Sequence, residues 1–324
     1  MVNVGAKQFA PIFYTMQIKL RILLLCTGVV MTLLSQFIHV AEAAQFKMLI
    51  FSLILLGVPH GALDLYIEKK NMSDEFSKSN KVLFKYLLNI IVYALLWYIS
   101  PIAALVIFIL ITAYHFGEID WMGKTDHRMH QVVYFLLGMC WIVYFLSINI
   151  EAALQIFLYV GASTISGEQW MQLANQIAPI ALSIIGVLYC ILFIKRSFFY
   201  YENSHYVISL IQLILLLMIC HYCPLWIGFG FYFGLWHSIL SFDKIRLGFN
   251  MPATAKSWME LIGKAMPFSI MAWIGMLFVM FMFYSSKNST SLVTLLFITL
   301  SVLTLPHLQV FTKLKITARN KTQE

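Results

Sequence analysis

Four histidines stand inside long apolar runs of this chain, and two of them have a carboxylate within one helical turn. His60 and Asp64 lie in Gly57-Val-Pro-His-Gly-Ala-Leu-Asp64, and His115 and Glu118 in Tyr114-His-Phe-Gly-Glu-Ile-Asp120. His237 ends Tyr232-Phe-Gly-Leu-Trp-His237, and His307 stands in Leu305-Pro-His-Leu308. Ionisable groups inside a bilayer are costly and usually functional. Imidazole binds Fe, Zn, Cu and Ni well, whereas Mg and Ca prefer oxygen. Asp64 follows His60 by four residues and Glu118 follows His115 by three, spacings that put acid and imidazole on one face of a continuous helix. A metal-bound histidine usually gives its other N–H to a carboxylate or carbonyl, so the two acids read as outer partners of a metal site.

One site needs all four histidines at one depth. Apolar runs long enough for a bilayer core of about 30 Å recur at roughly 18–38, 46–67, 82–100, 101–119, 131–149, 176–194, 204–222, 224–242, 267–285 and 290–312. The histidines fall on the even-numbered runs, which all cross in the same direction. His60 and His115 lie about 14 residues in, His237 about 13 and His307 about 17; at about 1.5 Å per residue the first three share one level and the fourth is within about 6 Å of it. Gly57, Gly61, Gly117 and Gly234 beside them let helices approach closely. Pro59 and Pro306 each precede a histidine and free a backbone carbonyl one turn earlier.

Composition agrees with lipid as the main solvent. Of 324 residues 61% are hydrophobic and 11% charged, against roughly 25% charged in soluble domains. The net charge of +8 does not point to nucleic acid, because Lys and Arg sit in short loops between apolar runs. With the N-terminus in the cytoplasm, 20 of the 22 fall on inner segments and only Lys47 and Lys287 on outer ones. These patterns predict an all-α, polytopic integral membrane helical bundle of about ten transmembrane helices, with both termini cytoplasmic, in the cytoplasmic membrane. They predict a single membrane domain over 1–324, a non-spanning segment at about 150–170, and the longest polar loops at 68–81 and 243–266.

Other motifs carry weaker signals. His39, His127, His130, His205 and His221 read as interfacial, and Cys220-His-Tyr-Cys223 as structural. Tyr114, Phe116, Tyr232, Phe233 and Trp236 flank the histidines, where they would either line a pocket for a long conjugated ligand or simply pack between helices. No phosphate-binding Gly-x-x-x-x-Gly-Lys-Ser/Thr loop is present, which argues against ATP-driven transport. The histidine set reads first as a metal site; a proton or ion path and plain interhelical hydrogen bonding are the other uses of such residues.

The ordered set Pro59-His-Gly-Ala-Leu-Asp64, Tyr114-His-Phe-Gly-Glu118, Tyr232-Phe-Gly-Leu-Trp-His-Ser238 and Pro306-His307 resembles the signatures of the Brp/Blh family of membrane β-carotene 15,15′-dioxygenases. The resemblance implies an Fe(II) enzyme in the lipid bilayer. It would add O2 across the central double bond of β-carotene and release two retinal molecules, with a functional link to a retinal-binding rhodopsin. His60, His115 and His237 match the family's iron-ligand histidines. The family usually carries another histidine four residues after the one in Trp-His-Ser. Here that position is Ser241, which leaves either His307 as a fourth ligand or three histidines with open positions. Two rival functions are a related membrane iron oxygenase on another polyene or lipid, and a transporter that uses the His/Asp/Glu cluster.

Overall fold

The computed structural model describes residues 4–71, 76–122, 128–159, 167–199, 203–282 and 289–320; His127, Lys124 and Lys287 lie outside them. Among the described residues all regular structure is helical. The helices are α1 (Val4–Phe37), α2 (Glu42–Ser52), α3 (Val58–Gly61), α4 (Asp64–Asn71), α5 (Phe76–Ile99), α6 (Pro101–Asp120), α7 (Arg128–Ile148), α8 (Ile150–Tyr159), α9 (Gly167–Ile194), α10 (Arg196–Phe199), α11 (Asn203–Tyr222), α12 (Leu225–Phe229), α13 (Ser238–Gly248), α14 (Ala255–Met282) and α15 (Ser289–Asn320). Two wider, π-helical turns interrupt the series: π1 (Leu53–Gly57) joins α2 to α3, and π2 (Gly230–His237) joins α12 to α13.

The chain is a polytopic membrane bundle. Among the described residues eight helices are long and apolar enough to cross a membrane, and Leu83–Ile99 and Phe297–Phe311 are shorter apolar helices. Together these segments fall on the ten apolar runs of the sequence. Large apolar side chains such as Leu33, Phe84, Val187 and Phe278 face outward, as a lipid solvent requires. Ser100-Pro101 and Pro224 separate successive helices as expected: Pro101 opens α6, where its missing N–H is not needed, and Pro224 precedes α12. The segment after α7 contains α8, whose ten residues reach only about 15 Å, half a bilayer core. The expected loop at 243–266 is largely helical, since α13 runs to Gly248 and α14 begins at Ala255. Arg246 is buried there, where it donates to Asp243 at 2.8 Å and to the Met251 carbonyl at 2.6 Å. A guanidinium paired with a carboxylate, with each nitrogen in contact with an acceptor, tolerates that position.

Two close approaches fix the helices that carry histidines. A Cβ on Gly117 of α6 would lie 1.9 Å from the Tyr134 carbonyl oxygen of α7, and one on Gly138 of α7 would lie 1.9 Å from the Ala113 carbonyl oxygen of α6. The two backbones therefore touch through reciprocal glycines, the packing that lipid-embedded helices rely on when burial from water gives no drive. Gly138→Val is expected to push α7 off α6. Overpacking typically costs about 1–3 kcal/mol, and a lowered unfolding temperature in detergent would register it; an unchanged transition would contradict the contact. On the other side of the bundle, a Cβ on Gly234 would lie 2.5 Å from Ser52 Oγ, so π2 seats against the end of α2.

Candidate metal centre

His60 and His237 both sit at the ends of irregular turns. In π1 the Val58 N–H reaches back five residues to the Leu53 carbonyl, and Pro59, which has no N–H to give, follows at once. In π2 the Ser238 hydroxyl donates to the Phe233 carbonyl at 2.8 Å, again five residues back. Such widened turns re-aim the side chains that follow them and recur at functional sites. His115 and His307 come from α6 and α15, which are regular at those positions.

The four imidazoles form a closed ring. Centroid distances around it are 5.3 Å for His60–His237, 4.8 Å for His237–His115, 5.0 Å for His115–His307 and 5.0 Å for His307–His60. Neighbouring rings meet edge to face, and all four side chains are buried. One nitrogen from each of His60, His115 and His237 lies within 4.8 Å of the others. Two donors at about 2.1 Å from one ion are at most about 4.2 Å apart, so a small inward movement would bring these three onto a common ion.

Hydrogen bonds settle which nitrogens remain. His307 Nδ1 lies 2.7 Å from Asp64 Oδ1, and His60 Nδ1 lies 3.4 Å from the Leu56 carbonyl. Both oxygens are acceptors, so each Nδ1 donates and each Nε2 keeps its lone pair. His307 Nε2, His237 Nδ1 and both nitrogens of His115 are buried with no hydrogen-bond partner. Several unpaired nitrogens in one buried cluster are unfavourable alone and fit a cation that imidazole binds well.

The carboxylates arrange themselves differently from the helical spacing. Asp64 does not serve His60. The helix breaks after Gly61, a turn covers 62–63, and α4 restarts at Asp64, which turns its carboxylate to His307. Tyr86 donates to its second oxygen at 3.2 Å. Glu118 Oε2 lies 3.9 Å from His115 Nδ1, beyond direct hydrogen bonding, and its Oε1 accepts from Lys244 Nζ at 3.1 Å. Ser241, one turn past His237, is fully buried and its hydroxyl has no hydrogen-bond partner.

A cavity of about 390 Å³ opens beside the ring, lined by all four histidines and by apolar residues of α5, α14 and α15. Its wall between α5 and α14 also faces outward, with Leu87 46% and Met271 63% exposed. Of the five flanking aromatics, Phe116 and Phe233 line this cavity. Phe233 stacks on His237 with centroids 5.6 Å apart, and Phe116 lies 4.8 Å from it. The other three turn away. Tyr114 packs toward Tyr134. Tyr232 and Trp236 donate to the two oxygens of Asp120, each at 2.7 Å. Side chains four apart share a helical face, which puts Phe233 with His237 and Tyr232 with Trp236 on separate faces of π2.

Asp120 belongs to a buried assembly that sequence reasoning missed. Arg21 of α1 donates to the Ile119 carbonyl at 2.7 Å, the Asp120 carbonyl at 3.2 Å and Gln212 Oε1 at 2.7 Å, and Gln212 donates to the Asp120 carbonyl at 2.9 Å. The guanidinium thus caps the open carbonyl end of α6. Arg21 reads in sequence as one more inner-side charge; its only signal is a position two residues beyond Lys19, inside an apolar run. His39 is exposed, while His130, expected at an interface, is buried among Trp121, Phe198 and Phe199.

A sequence model of the family described as Beta-carotene 15,15'-dioxygenase matches residues 51–315. The chain is similar to the Beta-carotene 15,15'-dioxygenase of Uncultured marine bacterium 66A03, with 27% identity over 267 residues that make up 79% of this chain and 88% of that protein. No solved structure matches the chain.

Proposed function

Because the chain belongs to the Beta-carotene 15,15'-dioxygenase family, we propose that it cleaves the central double bond of β-carotene with O2, using an iron ion held by His60, His115, His237 and His307. The observation that carries this reading is the closed ring of four buried imidazoles, with unpaired nitrogens, on the wall of an apolar cavity that reaches the lipid-facing surface. In the reaction the carbon–carbon double bond breaks, two carbonyl bonds form, and each retinal takes one oxygen atom of O2. When bound, Fe(II) supplies the O2-activating redox chemistry that a hydrocarbon and these side chains lack.

The chain's own residues do the positioning. Asp64, steadied by Tyr86, holds the His307 ring by Nδ1 and leaves Nε2 without another partner. Lys244 holds Glu118 beside His115. Phe116 and Phe233 offer flat apolar faces beside the imidazoles, suited to a conjugated chain. The substrate lives in the bilayer, and the wall between α5 and α14 gives it a route that never crosses water. Retinal released into the same bilayer would be available to a retinal-binding rhodopsin.

Expression in β-carotene-producing cells, with extraction of carotenoids and metal analysis of the purified protein, tests this. Retinal should accumulate at the expense of β-carotene, and the protein should carry stoichiometric iron. Intact β-carotene without retinal, despite full iron loading, rejects the substrate. A protein that takes up no iron when supplied rejects the metal site and favours a transporter.

A further inference from the structure

The widened turn π1 takes the usual backbone partner away from one carbonyl. In an α-helix the Ile54 carbonyl would accept from the Val58 N–H, four residues on. In π1 that N–H goes to Leu53 instead, and Pro59, the next backbone group in reach, has no N–H. Inside a bilayer no water replaces the missing donor, so another part of the protein must. The donor comes from α14: the Trp273 indole N–H reaches the Ile54 carbonyl at 3.1 Å.

The bond serves both partners. Trp273 stands six residues inside the apolar run at 267–285, where an indole N–H also needs a protein acceptor. Its position ties the cavity wall to the histidine ring. α14 packs against α3, the short helix that carries His60, and Phe268, Met271, Ala272 and Gly275 of α14 line the cavity beside the histidines. π1 acts on His60 a second time through Leu56, whose carbonyl lies 3.4 Å from Nδ1 of that ring. The direction of the His60 imidazole is therefore set by a turn whose open carbonyl is held from α14.

Resting on the metal reading of the histidine ring, we propose that Trp273 is a positioning residue for His60. Its N–H keeps π1 in the widened form, and the widened form directs the imidazole into the ring. The indole touches neither the histidines' nitrogens nor the proposed ion; it acts through the Ile54 carbonyl, six residues before His60.

The test compares anaerobic Fe(II) binding, and the visible absorption spectrum of bound Co(II), in the purified full chain. Trp273→Phe keeps an aromatic ring and removes the N–H. It should stay folded, bind Fe(II) about 10–100-fold more weakly, the usual cost of losing an outer partner of a metal ligand, and shift the Co(II) spectrum, which reports the ligand arrangement. Phe281→Ala, on the lipid-facing side of the same helix, should change neither. Pro59→Ala returns a backbone N–H beside the Ile54 carbonyl, so adding Trp273→Phe to it should cost less than about 3-fold in affinity, the non-additivity of a coupled pair. Wild-type Fe(II) affinity and Co(II) spectrum in Trp273→Phe overturn the proposal. Weaker binding with a lowered unfolding temperature and an unchanged Co(II) spectrum also overturns it, because that marks a merely structural contact. Should Trp273→Phe alone not fold, the Pro59→Ala background decides: a further loss of about 10-fold or more there overturns the proposal. Wild-type protein that binds neither Fe(II) nor Co(II) instead counts against the metal centre, a separate result.

Discussion

His115→Ala is expected to strip iron from the protein and abolish retinal formation while leaving the helical bundle folded. His115 stands between His237 at 4.8 Å and His307 at 5.0 Å, and neither of its ring nitrogens has a hydrogen-bond partner. Removing it deletes a proposed donor, and its acidic neighbour Glu118 keeps Lys244 at 3.1 Å, so the loss should fall mainly on the metal rather than on folding. Changes to outer partners of metal ligands typically cost 10–100-fold in affinity; loss of the ring itself should exceed that range, with turnover below detection. Elemental analysis beside circular dichroism of the same sample separates the two effects. Full iron content in the variant would remove His115 from the centre. His307→Ala should lower iron content as well, since Asp64 holds that ring in the fourth position. An unchanged value there would mean a three-histidine site with His307 as a neighbour.

The histidines were legible in sequence because charge and polarity are rare in apolar runs, and a helix of fixed rise converts residue number into depth. That logic needs only straight, parallel segments, and it brought together the residues that do form one ring. It failed for Asp64 because it assumed a continuous helix. The break at 62–63 rotates the carboxylate off His60's face and onto His307, 243 residues away. No local spacing encodes that partner. The aromatics divide for a related reason: adjacent residues on a helix point about 100° apart, so a run such as Tyr232-Phe233 must split between cavity and core. Phe233 went to the cavity, and Tyr232 went to Asp120. Most span positions agree with the helices, because hydropathy reports the solvent directly; the ninth starts at Ala255 rather than at 267. The polar segment around Arg246 was misread as loop because its pairing with Asp243 is invisible until the helix is built.

Asp120→Ala should be among the most damaging single changes away from the histidine ring, lowering stability by about 3–5 kcal/mol and iron affinity with it. The carboxylate accepts from Tyr232 and from Trp236, both buried on π2, and Trp236 immediately precedes His237. Leaving a buried donor unsatisfied costs about 1–3 kcal/mol each. The Arg21 guanidinium, buried against the same corner, loses its nearby negative charge as well. Arg21, 5.6 Å over the Trp236 ring, remains as a second charged link between this face of π2 and α6, but both direct hydrogen bonds to Asp120 are lost, so the turn that aims His237 should loosen. Asp120→Asn separates the two contributions. Its amide oxygen can still accept from Trp236, and its nitrogen can donate to Tyr232 if that hydroxyl turns to accept, whereas the negative charge is gone. If hydrogen bonding to π2 dominates, the asparagine variant should recover most of the unfolding temperature and iron content lost in the alanine variant. If the charge opposite Arg21 dominates, the two variants should be equally impaired. Wild-type stability and iron content in Asp120→Ala would show that π2 holds His237 without this clamp.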